Sequence, residues 1–342
     1  SELTQTLTDA SQASSGLDRD YITQWSYGIS ETMTLLIPNY KGGASVPLSQ
    51  SERAMTKANP MLGSICSQLT QYCGDQPMTA GPVYVGAFVL FLFVLGCFIV
   101  RGPMKWALAG ATLLSILLAW GKNFMPLTDF FIDFVPMYNK FRAVSSILVI
   151  AEFTIPLLAM FCLREIILYP KEVLKQRRAL MASLCIVVVP CLALWLAPES
   201  FNTLIPLQEE QMLQNAVSQQ MIPKEAYAPI VASLTEMRGL LVSSDALRSL
   251  FFILAGCALL AAFAGGKMRR EFMVVALAVL CLADLWTVNQ RYLNDKQFVP
   301  AGIRKQTFNL SETDKRILED HALDYRVLNF ASNTFNENNT SY

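Results

Sequence analysis

The sequence predicts an all-α polytopic membrane protein of about six transmembrane helices, with interfacial helices on the extracytoplasmic side and the start of a small β-containing extracytoplasmic domain at the C-terminus. Three observations carry this reading. Of 342 residues, 53% are hydrophobic and only 16% are charged, whereas a soluble domain carries charge on about a quarter of its residues. Six stretches, 83–100, 106–120, 144–163, 179–197, 249–264 and 272–288, are continuously apolar and approach the roughly 20 residues that cross a hydrocarbon core. The basic residues gather in three of the connections between those stretches.

Composition also excludes classes. Lys plus Arg equals Asp plus Glu, 27 against 27, so no basic surface argues for nucleic acid. A single histidine, His321, rules out a His-based metal site. Six of the eight cysteines, Cys97, Cys162, Cys185, Cys191, Cys257 and Cys281, fall inside apolar stretches and read as small buried hydrophobes. Cys66 and Cys73 lie elsewhere; on one helix, residues seven apart are about 10 Å from each other, too far for a disulfide. The chain opens without a signal sequence and stops in the polar run "NENNTSY", and it reads as a piece of something longer.

Orientation follows from charge. Arg101 and Lys105 stand between the first two stretches; Arg164, Lys171, Lys175, Arg177 and Arg178 between the third and fourth; Lys267, Arg269 and Arg270 between the fifth and sixth. The positive-inside rule places these short connections in the cytoplasm. Alternation then puts segment 1–82, loops 121–143 and 198–246, and segment 289–342 outside, around the bundle at 83–288. All the long segments share that side, so the work is expected there.

In the N-terminal segment, Tyr21, Trp25, Tyr27 and Tyr40 suit an aromatic belt that holds a helix flat on the headgroups. Glu31 is the only acid between Asp20 and Lys41. Pro38 with Gly42 and Gly43 marks a turn, and 49–72 reads as a helix with Ser49 and Glu52 spaced as a capping box. Loop 121–143 sets Asp129 and Asp133 four apart on one helical face among Phe and Ile, the pattern of an interfacial helix across the outer mouth of the bundle. Their spacing alone makes no metal site. In loop 198–246, Pro206, Pro223 and Pro229 are expected to chop the chain into short helices. Near the end, Ser311 with Asp314 reads as a helix start, "DYRVLNF" as a strand, and the triplets at Asn309, Asn338 and Asn339 fit the loose glycosylation pattern.

Ionisable groups within a span cost about 2.5 kcal/mol or more, so each is a functional-site hypothesis. Glu152, Arg248 and Asp284 qualify, all in the outer half of the bilayer under the orientation above. Two readings stand side by side: a functional constellation, or ion pairing that fixes helix packing. Pro156 removes the partner of the Glu152 carbonyl and Pro190 that of Ile186, so both helices are expected to kink. Lys140 and Arg142 precede the third span, with Ser145 and Ser146 just inside it. Cations at a helix N-terminus favour an anion, either outer lipid headgroups or the phosphate of a lipid-linked substrate.

The stretches "DFFIDFVPMYNKFRAVSSILVIAEFTIPLLA", "QWSYGISETMTLLIPNYKGG", "GDQPMTAGPVYVGAF" and "DYRVLNFASNTFNENNTSY" together resemble the YfhO family of bacterial polytopic membrane proteins, in the form found in Bacteroides-type bacteria. The resemblance covers nearly the whole chain. It implies a GT-C-like glycosyltransferase of the bacterial cytoplasmic membrane, which takes a sugar from a polyprenyl-phosphate donor and passes it to a cell-envelope acceptor outside the cytoplasm. Such enzymes carry their catalytic acid in the first extracytoplasmic loop, which the resemblance places ahead of Ser1. It implies substrate-binding roles for Lys140 and Arg142 at the donor phosphate and for Glu31 at a sugar; the reading of the membrane charges adds Glu152 in the cavity wall, with Asp129, Asp133, Arg248 and Asp284 in support. No cofactor is implied, and the partners are membrane lipids, the lipid-linked donor and the acceptor glycan, lipid or protein. The competing readings are a transporter or flippase, for which no internal repeat is visible, and a non-catalytic envelope scaffold. A single outward-facing cavity bordered by Arg142, Glu152 and Glu31 is the geometric expectation.

Overall fold

The computed structural model describes residues 17–57, 69–295, 298–303, 310, 312–319 and 321. The strand read at 324–330, the glycosylation triplets, Cys66 and residues 58–68 of the helix read at 49–72 lie outside these residues; of the rest of that helix, 49–50 and 52–55 are helical and 69–72 are not. The chain divides into two units, Ser1–Tyr292 and Leu293–Tyr342. Among the described residues the structure is mostly helical and contains no strand, only an isolated bridge between Pro47 and Thr70.

Eight longer helices organise the first unit: α1 (Ala87–Ile99), α2 (Met104–Ala119), α3 (Met125–Phe134), α4 (Val149–Leu168), α5 (Arg177–Leu196), α6 (Leu207–Ser218), α7 (Lys224–Ala264) and α8 (Arg270–Tyr292). Four are long and apolar enough to cross a membrane: α4 with the 3-10 turn that leads into it, α5, α7 and α8. The pair α2 and α3 makes a fifth if taken as one span bent by 110°. These helices mark a membrane protein; among the described residues four or five such elements meet the length and apolarity of a span, against the six predicted.

The shortfall lies at 83–100, where α1 has 13 residues and about 20 Å of length, against a core of about 30 Å. Its start is fixed by Gly86, whose φ of 94° breaks the helix, and by the Asp284 carboxylate, which accepts from the Ala87 N–H at 3.1 Å. Short as it is, α1 is central. Phe88, Phe91, Leu95 and Ile99 are buried, and they join one core cluster with residues of α4, α5, α7 and α8.

Prolines act differently from expectation in 198–246. Pro206 and Pro223 stand at the N-caps of α6 and α7, where a missing N–H costs nothing. Pro229 lies inside α7 without ending it. The 41-residue α7 therefore starts 25 residues before the predicted span and runs about 60 Å, twice the thickness of a bilayer core. Its first half packs Ile230, Leu234, Met237 and Leu241 against Leu48, Ala54 and Leu213; its second half joins the main core. Pro156 and Pro190 likewise lie within continuous helices.

The ends of the bundle differ. At one end the basic connections meet, with Arg101 paired to Glu172 at 3.5 Å. At the other, residues 17–57 and 69–86 form a cover of short turns over α2, α4, α7 and α8: Trp120 donates to Thr32, Ser145 N–H to the Trp25 carbonyl, Ser249 to the Leu36 carbonyl, and Tyr292 to Asn39. In this cover the capping serine of helix Glu52–Met55 is Ser51, which accepts from the Ala54 N–H, rather than Ser49.

Candidate functional site in the cover

Between the cover and the N-terminal end of α4 lies a cavity of about 210 Å³, bordered by Tyr27, Glu31, Lys41, Tyr72, Gln76, Ser145 and Ser146. Its walls come from three places in the chain. Glu31 opens the 3-10 helix Ser30–Leu35. Lys41 follows in the turn closed by Gly42 and Gly43, whose φ values of 83° and 85° need glycine. A Cβ on Gly42 would stand 1.9 Å from the Gln71 carbonyl oxygen, so this turn and strand-like segment 69–73 touch backbone to backbone.

Glu31 is 1% exposed and Lys41 5%, and a buried charged group requires partners. The Glu31 carboxyl accepts from the Gly28 N–H at 2.6 Å, from the Tyr72 hydroxyl at 2.5 Å and from the Asp75 N–H at 3.4 Å. The Lys41 ammonium donates to the Thr203 carbonyl at 2.9 Å and lies over the Tyr40 ring. Burial pushes the Glu31 carboxyl above the usual carboxylate range, opposed by the Tyr72 hydroxyl and the Gly28 and Asp75 N–H groups. Burial pulls the Lys41 ammonium down, opposed by the charges of Cys73, Glu31 and Asp75. The Tyr72 phenol is pushed up by burial and by the neighbouring Glu31 charge. Burial thus disfavours the charged form of both groups, and they border one cavity together with the Tyr72 phenol. Ser145, Gln76, Tyr27 and Thr34 add hydroxyl and amide groups to the lining.

The sequence-predicted residues do not all gather here. Glu31 and the Ser145–Ser146 pair border the cavity; Lys140, Arg142 and Glu152 do not. Arg142 is exposed, donates to the Tyr21 hydroxyl at 2.7 Å and lies over the Tyr21 and Trp25 rings. Lys140 is exposed at the end of the 3-10 turn Tyr138–Lys140. Glu152 points outward on α4 between exposed Val149 and Phe153. The expected common border of Arg142, Glu152 and Glu31 is thus not formed, because the 3-10 turn Val144–Leu148 separates the exposed lead-in from α4 and only its serines face the cavity.

The supporting acids are paired. Asp129 and Asp133 share a face of α3, as the spacing predicts, and both bind Arg19, with Asp133 at 2.6 Å. Asp284 pairs with Arg248 at 2.8 Å and accepts from Tyr84. A pair of the reverse sense lies nearby: Arg291 of α8 donates to Asp245 of α7 at 2.6 and 2.9 Å. Among the described residues no group of three or more His, Cys, Asp and Glu is placed to hold a metal.

The aromatic-belt expectation fails for Tyr27 and Tyr40, which are buried within the cover; Tyr21 is exposed. Lys41, Tyr72 and Gln76 escaped the sequence reading. A signal existed for Lys41, the one Lys or Arg between Arg19 and Arg53; Tyr72 and Gln76 carried none, since Tyr72 takes its place from Glu31 about 40 residues away and Gln76 from Tyr72 and Ser145. Compared with known proteins, the chain matches no family model, no curated protein and no solved structure.

Proposed function

We propose that this chain belongs to a GT-C-like membrane glycosyltransferase of the YfhO type, which transfers a sugar from a polyprenyl-phosphate donor to a cell-envelope acceptor on the extracytoplasmic side. The observation that carries the reading is the cavity beneath the cover, with its buried Glu31 and Lys41 and its hydroxyl-rich wall, at the end of the bundle remote from the basic connections. Hydroxyls and a carboxyl suit a sugar ring, and a polar cavity at a membrane boundary gives a lipid-linked substrate its place. On this reading α1 and α2 complete six crossings, the basic connections face the cytoplasm of the bacterial cell, and exposed Arg142 with Lys140 takes the donor phosphate as a charge-assisted contact. Glu31 and Lys41 bind and orient the sugar.

The transporter or flippase reading has one observation in its favour, the two opposed ion pairs, Asp245–Arg291 and Arg248–Asp284, linking α7 to α8. Polar pairs in spans accompany substrate paths in transporters. One experiment separates the two. Surface glycans and polyprenyl-phosphate sugars are profiled in cells with and without the full-length protein. A transferase predicts loss of a glycan together with accumulation of its lipid-linked sugar on the outer face; a flippase predicts accumulation on the inner face; an unchanged profile sinks the transferase. Glu31→Gln and Lys41→Met, restored to the deleted cells, are each expected to return less glycan than the unaltered protein at equal abundance.

A further inference from the structure

We propose that α3 and the turn after it, residues 125–141, form a lipid-facing insert that lies in the interfacial layer of the bilayer at the covered end of the bundle. The chain turns by 110° between α2 and the 121–134 segment, so α3 leaves the end of apolar α2 across its direction, not along it. One side of α3 is pinned inward: Ile132 is buried with Ile22 and Val144, the Thr128 hydroxyl donates to the Gly121 carbonyl at 2.9 Å, and Arg19 holds Asp129 and Asp133. Among the described residues nothing covers the other side. Phe130, Phe134, Met137 and Phe141 are 53, 73, 63 and 68% exposed.

An apolar surface of this kind requires an occupant, and two observations select lipid over a second protein. Val149 and Phe153, which follow Phe141 within about a dozen residues, are likewise 62 and 70% exposed, on a helix long enough to cross the membrane and so to present them to acyl chains. Its edge carries Lys140 and Arg142, both exposed, which suits the phosphate level of a bilayer, where long basic side chains reach headgroups while rings sit below. The inference is independent of the transferase reading, since it concerns only where this surface lies.

The test is labelling by a phosphatidylcholine with a diazirine in its acyl chain, in nanodiscs that hold the full chain, with adducts mapped by mass spectrometry. The expected result is adducts at Phe130, Phe134, Met137 or Phe141 as well as on the outward face of α4. Adducts on α4 with none at 125–141 would overturn the proposal, as would a cross-link in native membranes that puts another protein chain on Phe134. In the double variant Phe130→Ser, Phe134→Ser, adducts should be lost from α3 and kept on α4. Should that variant misfold, the pattern on the unaltered protein decides alone.

Discussion

The bundle and its cover both bury apolar residues but differ in how they treat polar ones. Fully buried positions in α1, α4 and α7 include Leu95, Ile155, Leu158 and Ile253, with Asp245 and Ser249 where α7 meets its neighbours; in the cover Ile37 and Leu48 are buried beside Ser26, Glu31, Thr34 and Lys41. A helix in lipid satisfies its own backbone, so the bundle needs few specific polar contacts beyond its two Arg–Asp pairs. The cover has short turns and little regular structure, so its polar groups are answered one at a time, often across the chain: Asn202 donates to the Tyr40 carbonyl at 2.5 Å, Lys41 to Thr203, Tyr72 to Glu31. The bundle should therefore tolerate exchange of one apolar residue for another, while the cover should respond to the loss of single bonds.

The largest expected effect tests this where the two regions meet. Arg238, on the part of α7 that rises into the cover, is 1% exposed; it donates to both Glu209 oxygens at 2.5 and 2.9 Å and to the carbonyls of Leu204 and Thr70 at 2.8 and 2.7 Å. Arg238→Met keeps the length and removes every bond, which leaves a carboxylate and two carbonyls unpaired in the interior. Breaking a buried pair in this way costs about 3–5 kcal/mol. Thermal unfolding in detergent should show it, and a loss below about 1 kcal/mol would mean that the cover is not held by individual polar bonds.

Next in size is Gly42→Ala. A left-handed φ costs a non-glycine residue about 1–2 kcal/mol, and here the new methyl also meets the Gln71 carbonyl. The turn that carries Lys41 should shift, so binding of a substrate analogue should weaken along with stability. Unchanged binding in a destabilised Gly42→Ala protein would separate the cavity from the turn.

How legible each region was follows from the same contrast. Apolar length announces a span, so α4, α5 and α8 were readable to within a few residues, and the basic connections ordered them. Composition failed at α1 because Asp284, nearly 200 residues away, takes part in setting where the helix starts, and at α7 because Pro223 and Pro229 look like breaks in one dimension. Of the site, Glu31 was readable as an isolated acid in an apolar segment. Arg142 and Glu152 looked equally significant, but position along the chain does not say which side of an element meets the cavity, and the fold leaves both exposed and off its border.

The smallest expected effect is also the most specific to the cover. In Glu31→Gln the amide oxygen still accepts from Tyr72, but the NH₂ faces the N–H groups of Gly28 and Asp75, a mismatch worth about 1 kcal/mol. The informative quantity is its pH dependence. The folded Glu31 carboxyl lies above its ordinary value of 4.5 because burial penalises the charged form, so the folded chain holds this proton more tightly than the unfolded one. Its contribution to stability is full below 4.5 and is lost as pH rises through the elevated folded value. Lys41 runs the other way: depressed from 10.5, its contribution is full above that value and is lost as pH falls through the lowered folded value. Subtracting the stability of Glu31→Gln from that of the unaltered protein gives the first slope together with the smaller part of the Lys41 shift that the Glu31 charge supplies. That difference should fall as pH rises above 4.5. A difference that stays level across the range would show that water reaches Glu31 in the folded protein, and the cover would then be an open surface rather than the polar interior that sets it apart from the bundle.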